Sequence, residues 1–397
     1  MHKFNFDEIV NRHNTDSIKW DAYPKESIPL WVADMDFKSP PCISKSLQER
    51  IKHEIFGYTH EPKSFKQNIS NYLSEQYQWD VHPDWIVIVP SVVSSLYSIG
   101  VNCTDESSHI ITPKPVYQHL RIAANNSERS FDEAQLESID NRLVLTAKSL
   151  TKVMQKNTDL LYFCNPQNPG GTVYRRDELQ NIVDISLKNN LIICSDEIHA
   201  GLVLDDIPHI PIASISEAAA NNTITLMSLN KTFNFPGVGL AWVVCKNKNL
   251  REKIKIGIGS LIPETQIFGY IATQAVIEHG EEWRIALLSY LRNNRQLLIE
   301  EIDGIPGLNM YAMEASYLGW ISCQKISHED PFKLFLKYGV ALQPGTMFNE
   351  DGHVRINIAT PRDNLIKALS RIRRAVKESG IKPVSYTHLR AHETRRY

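Results

Sequence analysis

Short apolar runs alternating with longer amphipathic stretches dominate the chain from about residue 85 onward, and that alternation narrows the fold more than any other feature. "WIVIVP" is followed by "SVVSSLYSIGVN", and "HIIT" leads through the turn-prone "PKPVY" into "QHLRIAANN". "DLLYFC" gives way to the loop "NPQNPGG" and then to "RRDELQNIVDISLKNN". There Leu179, Ile182, Val183 and Leu187 share a helical face, and Asp177 is placed to cap its start. "LIICSDE" is apolar without alternation, as a strand covered on both faces must be, and "TITLMS" and "LAWVVC" follow it. Strands alternating with helices predict an α/β fold with a mostly parallel sheet flanked by helices.

Residues 285 to 380 read differently, with the long helix "EEWRIALLSYLRNNRQLLIEEID", the strand-like "YLGWISC" and "HVRINIA", and a closing helix. The expected division is an N-terminal segment (1–50) contributing to a small domain, a large domain (51–284) and a C-terminal small α+β domain (285–383). The final stretch, "VSYTHLRAHETRRY" (384–397), does not continue the preceding helix and reads as a non-native tail. Its His388 and His392 have helical metal-pair spacing but no third ligand, and no metal site is expected.

Bulk properties exclude several classes. A formal net charge of −2 leaves no basic field for nucleic acid. The apolar runs fall well short of the ~20 residues that span a bilayer, and "MHKFNFDEIVNRH" lacks the apolar core of a signal peptide. Six scattered cysteines form no CxxC pair and read as reduced thiols, so a cytoplasmic location is expected.

In open α/β sheets ligands sit at the carboxyl ends of the strands. Asn168 follows "DLLYFC", Asp196 ends "LIICSD" and Lys231 follows "TITLMSLN", so three strands deliver an amide, a carboxylate and an amine to one edge. A fourth strand delivers "SVVS" at a helix start, a natural phosphate cradle. Alone, Lys231 reads more readily as a solvated loop cation than as a nucleophile. Together, the four elements suit a phosphorylated aromatic aldehyde, pyridoxal 5′-phosphate. A lysine of lowered pKa reacts with the aldehyde, and a carboxylate keeps the ring nitrogen protonated.

"SLNKTFNFPG", "FCNPQNPGG" and "CSDEIHAGLV" resemble fold-type I pyridoxal-phosphate enzymes of the aminotransferase class I/II superfamily. "IPLWVADMDF", "FGYT", "TPKPVY", "LQPGTMF" and "HVRINIATPR" are similar to the MalY/PatB branch of cystathionine β-lyase-like C–S lyases. The resemblance implies that Lys231 is the Schiff-base lysine, Asp196 the partner of the ring nitrogen and Asn168 the donor to the phenolate oxygen. It implies that Tyr117 covers the ring, that Val92 and Val93 by their amides and Ser228 by its hydroxyl hold the phosphate, and that Arg355 grips the substrate carboxylate. His199 falls beside the ring, where an ordinary hydrogen-bonded core histidine is an equal alternative. Tyr58 matches a tyrosine that reaches the neighbouring subunit's site, which implies a homodimer.

Two positions depart from the pattern. Gly239 stands where many aminotransferases carry a phosphate-binding arginine, and Ser91 stands where the branch usually has glycine. The implied activity is β-cleavage of cystathionine or a related cysteine S-conjugate to a thiol, pyruvate and ammonia. An aminotransferase on the same scaffold and a catalytically silent cofactor-binding regulator remain the alternatives.

Overall fold

The structure is a computed structural model that describes residues 4–326 and 330–379. The expected tail at 384–397, with His388 and His392, lies outside those residues. In chain order the strands are β1 (Ile28–Pro29), β2 (Ile86–Val89), β3 (His109–Lys114), β4 (Ser130–Gln135) and the hairpin β5 (Glu137–Ile139) and β6 (Arg142–Val144). There follow β7 (Thr158–Cys164), β8 (Ile192–Asp196), β9 (Thr223–Met227) and β10 (Ala241–Val244). The remaining strands are β11 (Asn309–Met310), β12 (Leu318–Ser322), β13 (Val340–Ala341), β14 (Gln343–Pro344) and β15 (His353–Asn357).

Seven strands form one sheet in the order β2-β10-β9-β8-β7-β3-β4. All its pairings are parallel except the two made by β10. Alternate residues of each strand serve opposite faces. Leu160 and Tyr162 therefore pack with Leu96, Ile99 and Leu120 of one helical layer, while Leu161 and Phe163 meet Leu179, Ile182 and Val183 of the other. Helices on both faces explain why these strands read as continuous apolar runs. The edge strand β4, "SFDEAQ", is largely polar and escapes that pattern, because only one side of it is paired.

The helix containing Leu179 spans Arg176–Lys188, so its cap is Arg175 and the expected cap, Asp177, lies inside the first turn. Glu178 moves the boundary, since its carboxylate accepts the Arg175 backbone N–H at 2.7 Å. Asp177 still sits at the favourable positive end of the helix.

A second, four-stranded antiparallel sheet has the order β11-β12-β15-β14. Leu291, Leu298 and Ile302 from the helix Glu281–Asp303 pack with Leu365 and Leu369 from Arg362–Glu378 and with Ile356 of β15. The N-terminal segment joins this region through β1, which pairs in parallel with β13. Among the described residues no helix is long and apolar enough to cross a membrane.

Glu314 ties the region to the larger sheet. Its carboxylate, with only 8% of the side chain exposed, accepts from Arg142 Nε at 3.1 Å, from the Val173 N–H at 2.9 Å and from Arg175. Neutralising Glu314 weakens the acceptor that the buried Val173 N–H and Arg142 Nε share, while Arg142 keeps its pair with Glu178 and Arg175 is partly open to water. Glu314→Gln is expected to lower unfolding stability by about 2 kcal/mol in a denaturant titration, against well under 1 kcal/mol for an exposed pair.

Candidate active site

Sheet register brings the predicted residues to one edge. Cys164 at the end of β7 pairs with Asp196 of β8, which pairs with Leu226 of β9. The loops carrying Asn168 and Lys231 therefore leave the sheet on either side of Asp196. Strand β2 runs parallel to β9, because β10 is antiparallel to both, so its carboxyl end delivers Ser91 to the same edge.

Asp196 is 4% exposed, and its carboxyl is pushed up to about 7. Burial is the main cause, opposed by the Ile198 N–H at 3.1 Å and by Lys231, and reinforced by Glu197. Lys231 is part-buried, and its Nζ donates to the Ala33 carbonyl at 2.7 Å. Its amine falls from 10.5 to about 8. Burial again leads, Asp34 and Asp196 pull the other way, and Arg355 adds to the lowering.

Arg355 is 2% exposed and drawn down to about 10 by burial. Its Nη1 donates to Asn168 Oδ1 at 2.9 Å, and Nη2 donates to the Trp31 carbonyl at 3.1 Å and to Gln343 Oε1. The remaining donor, Nε, is buried and has no partner. The Phe348 ring lies 5.0 Å from the guanidinium carbon. His199 is buried and held down to about 3 by burial, Lys231 and Arg355, so it is neutral. Its Nδ1 also has no partner. Tyr117 is half-buried near Arg355, with its phenol pushed up to about 12 by burial, and its N–H donates to the Asn168 carbonyl at 2.9 Å.

Ser91 has φ −158°, an extended conformation open to any residue, so its serine needs no glycine-like backbone. Its hydroxyl accepts from the Ser94 N–H at 3.1 Å and caps the helix Val92–Asn102. Val92 and Val93 open that helix, where backbone N–H groups have no intrahelical acceptor. Ser228 is buried, and its hydroxyl donates to the Leu240 carbonyl at 2.6 Å, so its proton is already engaged. Gly239 has a steric reason: a Cβ there would meet the Pro90 carbonyl oxygen at 2.9 Å, and no arginine stem fits without moving backbone. Tyr58 stands apart, fully exposed on the irregular stretch 54–62 and outside the contacts that join the others.

A cavity of about 1000 Å³ opens beside Lys231, walled by Asp34, Arg12, Ile43, Phe235 and Val238 among others. The acidic segment at 31–37 is fixed here by a buried ion network. Arg12 meets Asp34 at 2.6 Å and Asp36 at 2.9 Å, and fully buried Lys19 meets Asp36 at 3.0 Å. Tyr317, Gln343 and Asn357 also reach the site or the segment beside it, and sequence patterning did not single them out. Only Asn357 carries a usable signal, since it lies two residues beyond Arg355 and hence on the same strand face.

These residues fit pyridoxal phosphate by their own chemistry. The site holds an amine of lowered pKa, a buried carboxyl that lacks a full cationic partner, and two buried nitrogens, His199 Nδ1 and Arg355 Nε, without acceptors or donors to meet them.

The chain is similar to known proteins over nearly its whole length. Cystathionine beta-lyase PatB of Bacillus subtilis (strain 168) is 30% identical over 389 residues, covering 94% of this chain and all of that protein. Among solved structures, OvoB superposes with a TM-score of 0.92 at 36% identity, covering 94% of this chain and 99% of that one. Cystalysin from Treponema denticola, which contains pyridoxal 5′-phosphate, superposes at 0.90 with 29% identity and the same coverage. The sequence pattern described as "Aminotransferase class I and II" matches residues 25–372, and the chain belongs to that family.

Proposed function

We propose that this protein is a pyridoxal-phosphate-dependent carbon–sulfur β-lyase that cleaves cystathionine or a related cysteine S-conjugate to a thiol, pyruvate and ammonia. One observation carries the proposal: Lys231, an amine of lowered pKa, lies within electrostatic reach of the buried Asp196 carboxyl and the buried Arg355 guanidinium, whose Nη1 donates to Asn168. The likeness to PatB supports the lyase branch, and the likeness to cystalysin supports the cofactor. So does the close packing of Gly239 against Pro90, at the position where many aminotransferases carry an arginine.

Lys231 would hold the cofactor's aldehyde, Asp196 its ring nitrogen, Asn168 its phenolate oxygen and Tyr117 its ring face. The amides of Val92 and Val93 would take the phosphate, with Ser228 contributing as an acceptor or after rotating its hydroxyl. His199, neutral in this pocket, would hydrogen-bond beside the ring. When bound, the cofactor supplies an electron sink for breaking a bond at the substrate's α-carbon.

The remaining roles belong to side chains of the protein. Arg355 binds the α-carboxylate, and its unpaired Nε is a donor still free for it. Lys231, about half unprotonated near pH 8, accepts the α-proton. Asp196, titrating at about 7, is about half protonated at neutral pH, and a protonated ring nitrogen would draw it to its charged form.

We further propose a cytoplasmic homodimer in which Tyr58 reaches the neighbouring site. Tyr58 lies beside Ile55 and Phe56, which are 64% and 60% exposed, an apolar stretch suited to a second copy of the chain.

Incubation with cystathionine and no 2-oxo acid is expected to release pyruvate and thiol continuously, whereas arrest after one equivalent would make the enzyme an aminotransferase. Lys231→Ala is expected to lower turnover by about 10³-fold or more and to abolish the borohydride-sensitive absorbance of the purified protein. Arg355→Lys, which loses the bidentate fork, is expected to raise KM on the order of tenfold, with a smaller change in kcat. In cofactor-free protein, amine-directed labelling of Lys231 followed by mass spectrometry should rise with pH through a midpoint near 8, against 10.5 for a solvated lysine.

A further inference from the structure

Between Trp31 and Asp34, four successive backbone carbonyls are each taken by a buried or part-buried side chain. Arg355 Nη2 donates to the Trp31 carbonyl at 3.1 Å. Asn357 Nδ2 donates to the Val32 carbonyl at 2.6 Å and to the Asp34 carbonyl at 2.7 Å. The Ala33 carbonyl accepts from Lys231 Nζ at 2.7 Å and from the Tyr317 hydroxyl at 3.0 Å. Lys19 adds a 3.2 Å contact to the Asp34 carbonyl. The odd-numbered carbonyls thus serve the two cations of the cleft, and Asn357 spans both even-numbered ones.

Asn357 is fully buried at the end of β15, two residues past Arg355. Its orientation is determined by its neighbours, because Oδ1 accepts the Ala359 N–H at 2.7 Å and the amide nitrogen must then face the segment. Its backbone N–H donates to the Leu30 carbonyl at 2.8 Å, so side chain and main chain act on the same stretch.

We propose that Asn357 is a positioning residue: by clamping the Val32 and Asp34 carbonyls it holds those of Trp31 and Ala33 in place, which aim the Arg355 guanidinium and hold the free Lys231 amine. Its bearing on substrate rests on the lyase function proposed above. A lysine stem is long and flexible, and Ala33 is the acceptor its ammonium meets here, so loosening the strap releases the amine. The same loosening removes one of the oxygens that fix the plane of Arg355. One side chain therefore acts on both cations while its own hydrogen bonds go to backbone alone.

The test uses the cofactor-loaded enzyme and the near-isosteric Asn357→Asp, which keeps an acceptor for Ala359 but faces oxygen to the two carbonyls. KM for the sulfur amino acid should rise by about tenfold or more while kcat falls less. Amide hydrogen exchange read without substrate should quicken by about tenfold or more at residues 31–36, with β7, β8 and β9 unchanged. Asn357→Ser, which retains one donor, should fall between the parent and the Asn357→Asp enzyme in both readouts, and it replaces the first variant if that one fails to fold. KM within about twofold of the parent, unchanged exchange at 31–36, exchange that rises equally across the sheet, or failure of both variants to fold would each overturn the proposal. Exchange needs no turnover, so an absence of lyase activity in the parent enzyme would count against the proposed reaction and leave the clamp to be judged by exchange.

Discussion

Removal of charged groups from water is the constraint on which this cleft depends. An amine, a guanidinium and a carboxyl group all titrate well away from their solution values, and in each case burial is the leading cause. Burial of this kind disfavours the charged forms and is tolerable only where hydrogen-bond partners are dense. The backbone of residues 31–34 supplies many of them, as carbonyl oxygens turned towards Arg355 and Lys231. A segment from the first tenth of the chain thereby completes a site whose cations lie about 200 and 325 residues further on.

That segment needs anchoring of its own, and the ion network at Arg12, Lys19, Asp34 and Asp36 provides it. Lys19 is wholly buried, an arrangement stable only because carboxylates and the Asp34 carbonyl surround its ammonium. Asn234, three residues past Lys231, adds a second tie: its side chain accepts the Met35 N–H at 2.9 Å and donates to the Phe37 carbonyl at 2.7 Å. The loop that carries the lysine and the strap that meets its amine are therefore joined at two points. Movement of either would be felt by the other.

The sheet contributes rigidity of a different sort. Cys164, Asp196 and Leu226 are adjacent in register, so the loops beyond them start from fixed points on neighbouring strands. The antiparallel β10 sits between β9 and β2 and brings the helix Val92–Asn102 to the same edge. Packing is tight enough there to forbid a side chain at residue 239. The chemistry of the edge and its steric limits thus share one origin in strand order.

Much of this was legible in the sequence because it is local. Apolar runs report strands buried on both faces, and "NPQNPGG", "CSDE" and "SLNK" each mark a strand end, so Asn168, Asp196 and Lys231 could be assigned to one edge without coordinates. Arg355 could be assigned by its place between apolar neighbours on a strand. Contacts between distant segments left no such mark. Nothing in "WVADMDF" says that its backbone carbonyls, not its side chains, meet the cations, since every residue carries the same carbonyl. The same holds for Tyr317 and Gln343, ordinary residues until the chain brings them to Ala33 and Arg355, and for β4, whose polar sequence conceals a strand. Sequence determined which elements form and which reactive groups stand at their ends. Tertiary structure decided the protonation of those groups and what holds them, because both depend on burial and on partners hundreds of residues away.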